Sequence, residues 1–326
     1  MHTLIGGAIF LLLILGSSVT LKNLNNISQW SQRRNLQLLV LALPLLPLGF
    51  GLFCLYHFLE HLCLAGDPPW DELLESVLPL ITAALMIGAL ITTLVRFFLM
   101  RRFISHYRQR ATADIQQRVD RLVRGRYTTP IQVFLLPVQH PIAFTCGFFR
   151  PMIFLSPWMI HHLDTHELDA VLAHEVEHVI RRDYGILFVA TFLRDAFLYL
   201  PTSHMGYHQL QQDKELACDE QAAFTTRRPL TLASALTKVW LHGVGEEQHV
   251  STGLAQSLLP HHTTMKYRVE RLLEAAPPIP SQTRNWYRWN ICGIGMLLLI
   301  QILFFFVGMK LIGCDPAMTI MHLLQR

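Results

Sequence analysis

The chain has 326 residues, of which 52% are hydrophobic and only 15% charged. A soluble domain usually carries about a quarter charged residues, and the mean hydropathy of +0.33 points with that deficit to a membrane protein holding one modest soluble domain. A net charge of +4 is too small to argue for direct contact with nucleic acid, and six cysteines without CxxC spacing argue against a cysteine zinc site or a disulfide framework.

Taken in order, Leu4 to Leu21 is uncharged and ends at Lys22. No Lys or Arg precedes it and no A-x-A-like site follows, so a retained span is expected over about 4–21 rather than a cleaved signal. A polar loop with Lys22, Arg33 and Arg34 leads to a second span over about 36–59, kinked by Pro44 and Pro47. The 60–76 loop carries Glu60, Asp67, Asp71, Glu72 and Glu75 and no Lys or Arg. A third span covers about 77–100 and closes on Arg101 and Arg102. The positive-inside rule then puts the 22–35 loop and the region after residue 100 in the cytoplasm. Residues 101–288 form the expected cytoplasmic domain. A last span over about 291–309 follows Trp286 and Trp289, and the 289–326 segment ends in a short tail.

Within the domain, residues 103–125 read as helical. Ile131 to Leu136, Ala143 to Phe148 and Met152 to Leu155 read as short strands bounded by Pro and Gly. His166 to Arg182 reads as a helix, and it contains His174-Glu175-Val176-Glu177-His178. Residues four apart share a helix face, so His174 and His178 can present two imidazoles to one ion. Glu175 sits one step round, in reach of a water on that ion. This is the two-ligand-plus-base layout of zinc peptidases.

Among 17 histidines such a pair can arise by chance, and the downstream Lys214-Glu215-Leu-Ala-Cys-Asp219-Glu220 decides against chance. A hydrolytic zinc site needs a third protein ligand and an open position. Glu215 suits that ligand role, and Asp219, one turn on, suits the partner of a ligand histidine's other ring nitrogen.

Ile186 to Leu200 is apolar but only about 15 residues long, against roughly 20 for a span, and it contains Arg194 and Asp195. A single crossing there would put Glu215 across the membrane from His174 and His178. Either the segment does not cross or Glu215 is not a ligand. A buried or interfacial helix ended by Pro201 is preferred. Pro229 to Leu241 reads as a helix and Tyr267 to Glu274 as a short charged one. His242, His249, His261 and His262 lie in or beside a polar stretch, and none is assigned a role.

HEVEH followed by ELACDE resembles the BlaR/MecR-type membrane metallopeptidases and, more distantly, the HtpX-type proteases. Gly147 to Pro157 (GFFRPMIFLSP) and Arg181-Arg-Asp183 resemble that family too. The resemblance covers roughly 130–275. It implies an α-helical membrane protein of about four spans with an α+β zincin-like domain of the gluzincin type. It implies Zn2+ held by His174, His178 and Glu215, with Glu175 as general base and Asp219 behind a histidine. It also implies an edge strand over the cleft on which a peptide pairs.

The family's proteins cleave a cytoplasmic transcriptional repressor after sensing a ligand outside. Only 17 residues follow Met309, too few for a folded domain, so the chain is expected to depart from that family at its penicillin-binding sensor, and any signal is expected through the spans, a short loop or a separate sensor protein. The expected partners are therefore a protein substrate, a sensor and the lipid bilayer of the inner membrane. Two alternatives stand beside repressor cleavage: an HtpX-like protease for membrane protein quality control, and a catalytically silent signalling or scaffold protein in which the metal only staples the fold.

Overall fold

The computed structural model describes residues 14–24, 29–45, 70–107, 109–246 and 262–274. The chain is mostly helical with one small sheet. Its elements are α1 (Trp30–Ala42), α2 (Trp70–Tyr107), β1 (Gln109–Arg110), α3 (Ala113–Val123), β2 (Gln132–Leu135), β3 (Ala143–Cys146), β4 (Met152–Leu155), α4 (Pro157–His162), α5 (Thr165–Arg181), α6 (Asp183–Ala196), α7 (Pro201–Thr226), α8 (Pro229–Glu246) and α9 (His262–Leu273). Residues 14–23 are also helical.

The expected third span falls inside α2. Its stretch Ile81–His106, 26 residues, is the one helix among the described residues that is long and apolar enough to cross a membrane. At 1.5 Å per residue it reaches about 39 Å, more than the ~30 Å hydrocarbon core. The expected 4–21 span is described only from residue 14, and α1 covers the start of the expected 36–59 span. The 291–309 span lies outside the described residues.

The described chain forms two compact units. One takes in residues up to Ile91 and Phe192–Tyr207; the other takes in Thr92–Thr191 and resumes at His208. In the first, Leu21, Leu24, Val40 and Leu41 are buried. The Leu21 and Leu41 side chains approach Gly206 so closely that an added Cβ would meet them at 3.6 Å. Arg194 and Asp195 neutralise each other at 2.6 Å, and the Arg194 guanidinium sits 4.3 Å from the centre of the Tyr207 ring. That pairing accounts for charge within the apolar 186–200 run. α6 has 14 residues, about 21 Å of helix, too short to cross. Pro201 opens α7, a position where its missing N–H costs nothing.

The second unit is built on a four-stranded sheet of order β1-β2-β4-β3. β1 runs antiparallel to β2, β2 parallel to β4, and β3 antiparallel to β4. β-Branched and aromatic residues alternate across it, as half-buried strands require. On one face Phe134, Phe154 and Phe144 stack across three strands, with ring centres 5.5 and 5.1 Å apart, and Ile104 of α2 packs with them. On the other face Val133, Ile153 and Leu155 meet Ile115 and Val119 of α3 and Val171, Leu172 and Val176 of α5.

α5 is the central element. Its opposite side, Ala170 and Ala173, packs on Leu232, Ala233 and Leu236 of α8 and on Met265 and Leu272 of α9. A capping box starts it: Asp164 Oδ1 accepts from the His166 and Glu167 N–H groups, and Glu167 Oε2 accepts from the Asp164 N–H. The expected helix over 103–125 is interrupted. α2 ends at Tyr107, and Gln109 and Arg110 pair with Leu135 and Phe134 of β2. The strand expected to run to Phe148 stops at Cys146, where Gly147 takes φ +107°.

Glu167 ties α5 to α8. Its buried carboxylate also accepts from Ser234 Oγ at 2.7 Å and Lys238 Nζ at 2.6 Å. Burial alone would raise its pKa; Lys238, Ser234 and the Asp164 N–H outweigh burial and hold it below the usual carboxylate range. We expect Glu167→Ala to cost about 1.5–3 kcal/mol of stability, read by denaturant unfolding in detergent. Because the folded pKa is depressed, that increment is full above about pH 5 and is lost as pH falls through the ordinary Glu value near 4.3 and below. Glu167→Gln should flatten this acid limb.

Candidate metal centre

The helical spacing of α5 puts the His174 and His178 rings on one face, perpendicular at 88° with centres 4.7 Å apart. Their Nε2 atoms are 3.1 Å apart. Glu215 of α7 faces both: Oε2 lies 3.4 Å from His174 Nε2, and Oε1 lies 3.7 Å from His178 Nε2. In a tetrahedral zinc site with bonds of 2.0–2.1 Å, ligand atoms stand about 3.3 Å apart. The three edges observed therefore fit one divalent ion, and the donor set of two imidazoles and a carboxylate suits zinc in kind.

Each histidine is fixed from behind. Asp219 Oδ1 is 2.9 Å from His174 Nδ1, and Asp183 Oδ2 is 2.8 Å from His178 Nδ1. With a carboxylate at each Nδ1, the proton belongs on Nδ1 and the Nε2 lone pair is left for a metal. Asp219 shares a face of α7 with Glu215, one turn away. Asp183 reaches His178 by another route. Arg182 closes α5 in the left-handed conformation, φ 57°, its N–H bonded to the His178 and Val179 carbonyls, and this turns the chain back on itself. The conformation costs a non-glycine residue about 1–2 kcal/mol.

Two cations hold the carboxylates. Arg268 of α9 is buried and grips Asp219 with two bonds, Nε to Oδ2 at 2.6 Å and Nη2 to Oδ1 at 2.8 Å. Its Nη1 is 3.1 Å from Glu215 Oε2, and Lys214 Nζ is 2.9 Å from Glu215 Oε1. Burial alone would neutralise Glu215, but Lys214 and Arg268 outweigh it and hold its pKa well below the usual range. For Asp219 burial is likewise opposed, chiefly by Arg268, and its pKa is lowered. Burial works against a charge on His174, yet Asp219 and Glu215 together carry its pKa up to about 9.

Glu175 is buried beside this cluster, and its carboxylate is anchored by the sheet. Thr145 of β3 donates its hydroxyl to Glu175 Oε2 at 2.8 Å. β3 is the edge of the sheet. Ser156 N–H bonds the Ile142 carbonyl at 2.8 Å, which makes Phe144 and Cys146 the next hydrogen-bonded partners of β4 by antiparallel alternation. Ala143 and Thr145 therefore turn their backbone N–H and C=O groups to the open side, where no described strand pairs.

A second group shares His178 through its other nitrogen. Cys218 Sγ lies 3.2 Å from His178 Nδ1 and 3.5 Å from Asp183 Oδ2, so His178, Asp183 and Cys218 also converge. The first group is the better ion site. His178 Nδ1 is already engaged by Asp183, and burial pushes the Cys218 thiol well above its usual pKa, against the thiolate that a metal requires.

The structure thus brings His174, His178, Glu215 and Asp219 together, with Glu175 adjacent on α5. Thr145, Asp183 and Arg268 were not anticipated. Asp183 was visible in Arg181-Arg-Asp183 but had no role, and nothing near Arg268 marks it. Of the unassigned histidines, His242 packs against Trp158, ring centres 4.7 Å apart; His249 and His261 lie outside the described residues, and His262 opens α9.

Residues 67–269 match the family of BlaR1 peptidase M56, and the chain belongs to that family. It is similar to Protease HtpX homolog 2 of Methanosarcina mazei, 28% identical over 142 residues, covering 33% of this chain and 48% of that protein. It is similar to Protease HtpX homolog 1 of Streptomyces coelicolor, 29% identical over 156 residues, 37% of this chain and 51% of the relative. The methicillin resistance mecR1 protein of Staphylococcus aureus is 21% identical over 169 residues, 51% of this chain and 28% of the relative. The chain spans about half or less of the length of these curated relatives.

Arg268 is bonded to both Asp219 and Glu215. Arg268→Met leaves two buried carboxylates short of a counter-ion and should cost about 3–5 kcal/mol of stability. Arg271→Ala, which removes a part-exposed pair with Glu220, should cost under about 1 kcal/mol. Denaturant unfolding of the detergent-solubilised chain measures both.

Proposed function

We propose that this M56 family chain is a membrane-embedded zinc endopeptidase that hydrolyses a protein substrate at the cytoplasmic face of the membrane. The observation that supports it most is the convergence of two Nε2 atoms and a carboxylate within 3.1–3.7 Å next to a tethered Glu175. His174, His178 and Glu215 are the residues that would hold the ion, with Asp219 and Asp183 fixing the imidazoles. Zinc, when bound, lowers the pKa of a water and polarises a carbonyl.

The chain's own residues do the rest. Glu175 accepts the proton of the attacking water and later delivers it to the leaving amine nitrogen. The Thr145 hydroxyl donates to Oε2 and so holds the carboxylate, leaving Oε1 as the oxygen for that transfer. A substrate segment laid along the open edge of β3 takes its main-chain bonds from Ala143 and Thr145, which orients an extended peptide beside Glu175.

The four spans expected from the sequence and the basic residues at their flanks support a cytoplasmic site. Within this reading, the family and the mecR1 relative favour regulated cleavage of one regulator, such as a repressor, under control of a separate sensor protein. The HtpX relatives favour broader proteolysis of membrane proteins. A Glu175→Gln variant that traps substrate separates the two: one dominant captured protein, or many.

Glu175→Gln should lower cleavage by at least about 100-fold, the scale of general-base catalysis, while keeping the wild-type metal content. Near-normal cleavage by that variant would remove Glu175 from the mechanism. Asp183→Ala and Asp219→Ala should each weaken zinc binding about 10–100-fold in a chelator competition, with Glu220→Ala unchanged. An Asp183 variant that binds zinc as tightly as the Glu220 control would leave Asp183 without that role.

A further inference from the structure

The turn joining β3 to β4 carries Gly147-Phe148-Phe149-Arg150 at its tip. Gly147 makes the turn tight: its φ is +107°, and an added Cβ would run into the Arg150 carbonyl oxygen. Phe148 is packed, with ring centres 5.0 Å from Tyr184, 5.3 Å from Phe188 and 5.8 Å from Phe97. Phe149 beside it is 93% exposed. A phenylalanine left in water forgoes the gain of burial, whereas a polar residue at a hairpin tip would forgo none.

Phe97 supplies the context, because it belongs to the membrane-length stretch Ile81–His106. Residues 77–95 carry no charge; at 1.5 Å per residue these reach about 28 Å, close to the ~30 Å hydrocarbon core. Arg96, Arg101 and Arg102 follow. Phe97 therefore stands where the span leaves the hydrocarbon, and Phe148 touches it at that level. Phe98 and Leu99, 63% and 61% exposed, continue the apolar surface along α2, and Val189 of α6 adds to it.

We propose that the β3–β4 hairpin tip inserts into the bilayer, with Phe149 entering the boundary between headgroups and acyl chains next to Phe98 and Leu99. The exposed Arg150 then sits at the level of the lipid phosphates. The occupant of this apolar surface is lipid, because the surface is continuous with the span's own exposed face. Thr145 is four residues before Phe149, about 13 Å of extended chain. The open edge of β3 thus begins at the membrane surface. On the peptidase reading, on which this one consequence rests, the substrates are proteins anchored in or bound to the same bilayer and cut close to it.

The insertion is tested without any cleavage assay. The full chain, carrying a diazirine derivative of phenylalanine at position 149, is reconstituted in vesicles of phosphatidylcholine and phosphatidylglycerol, illuminated, and analysed by mass spectrometry. The same group at exposed position 166 is the reference. α5 runs from that end back toward the hairpin over 17 residues, about 25 Å. Unchanged thermal melting shows that both variants are folded. Phospholipid adducts at 149 and none at 166 are expected. Water products alone at 149, or equal lipid adducts at both positions, overturn the proposal.

Discussion

Two imidazole nitrogens held 3.1 Å apart inside a buried helix set the terms for the rest of this structure. Each ring is costly to bury with its polar atoms unmet, so each Nδ1 needs a carboxylate. Each carboxylate, once buried, needs a cation or donor in turn. Asp219 answers His174, and Arg268 answers Asp219. Asp183 answers His178 and is itself approached by Arg181 at 3.4 Å. The chain of demands runs outward from α5 to α7 and then to α9. α5 can carry it because it is enclosed by the sheet on one side and by α8 and α9 on the other.

What was legible in the sequence follows from range. HEVEH and ELACDE encode their geometry locally, because residues one helical turn apart share a face whatever surrounds them. That made His174, His178, Glu215 and Asp219 nameable before any fold was known. The three strands were legible from their aromatic and β-branched content, and β4 falls where expected, at Met152–Leu155. Asp183 was harder. It reaches His178 only because Arg182 adopts a left-handed turn, which sequence does not signal at an arginine. Arg268 was not readable: its partner Asp219 is 49 residues away, and only tertiary packing brings them together. The break at 109–112 has the same origin, since β1 exists only by pairing with β2. Thr145 and Glu175, 30 residues apart, meet for a like reason.

The sheet does two things for the centre. Its inner face packs α5, which fixes where the histidines point. Its edge strand holds Glu175 and keeps two backbone positions unpaired toward the same side. The M56 family match, residues 67–269, takes in the sheet, α5 and α7. On the proposed peptidase reading, α5 would present two ligands and the base, β3 would receive a peptide and α7 would return the third ligand.

The central claim is which side of His178 faces the ion. Nε2 points to His174 and Glu215, while Nδ1 points to Asp183 and Cys218. X-ray absorption spectroscopy of the zinc-loaded full chain distinguishes the two directly. The account predicts a shell of nitrogen and oxygen alone at about 2.0–2.1 Å, with the multiple-scattering pattern of two imidazoles. A sulfur scatterer at about 2.3 Å would put Cys218 on the metal and contradict it.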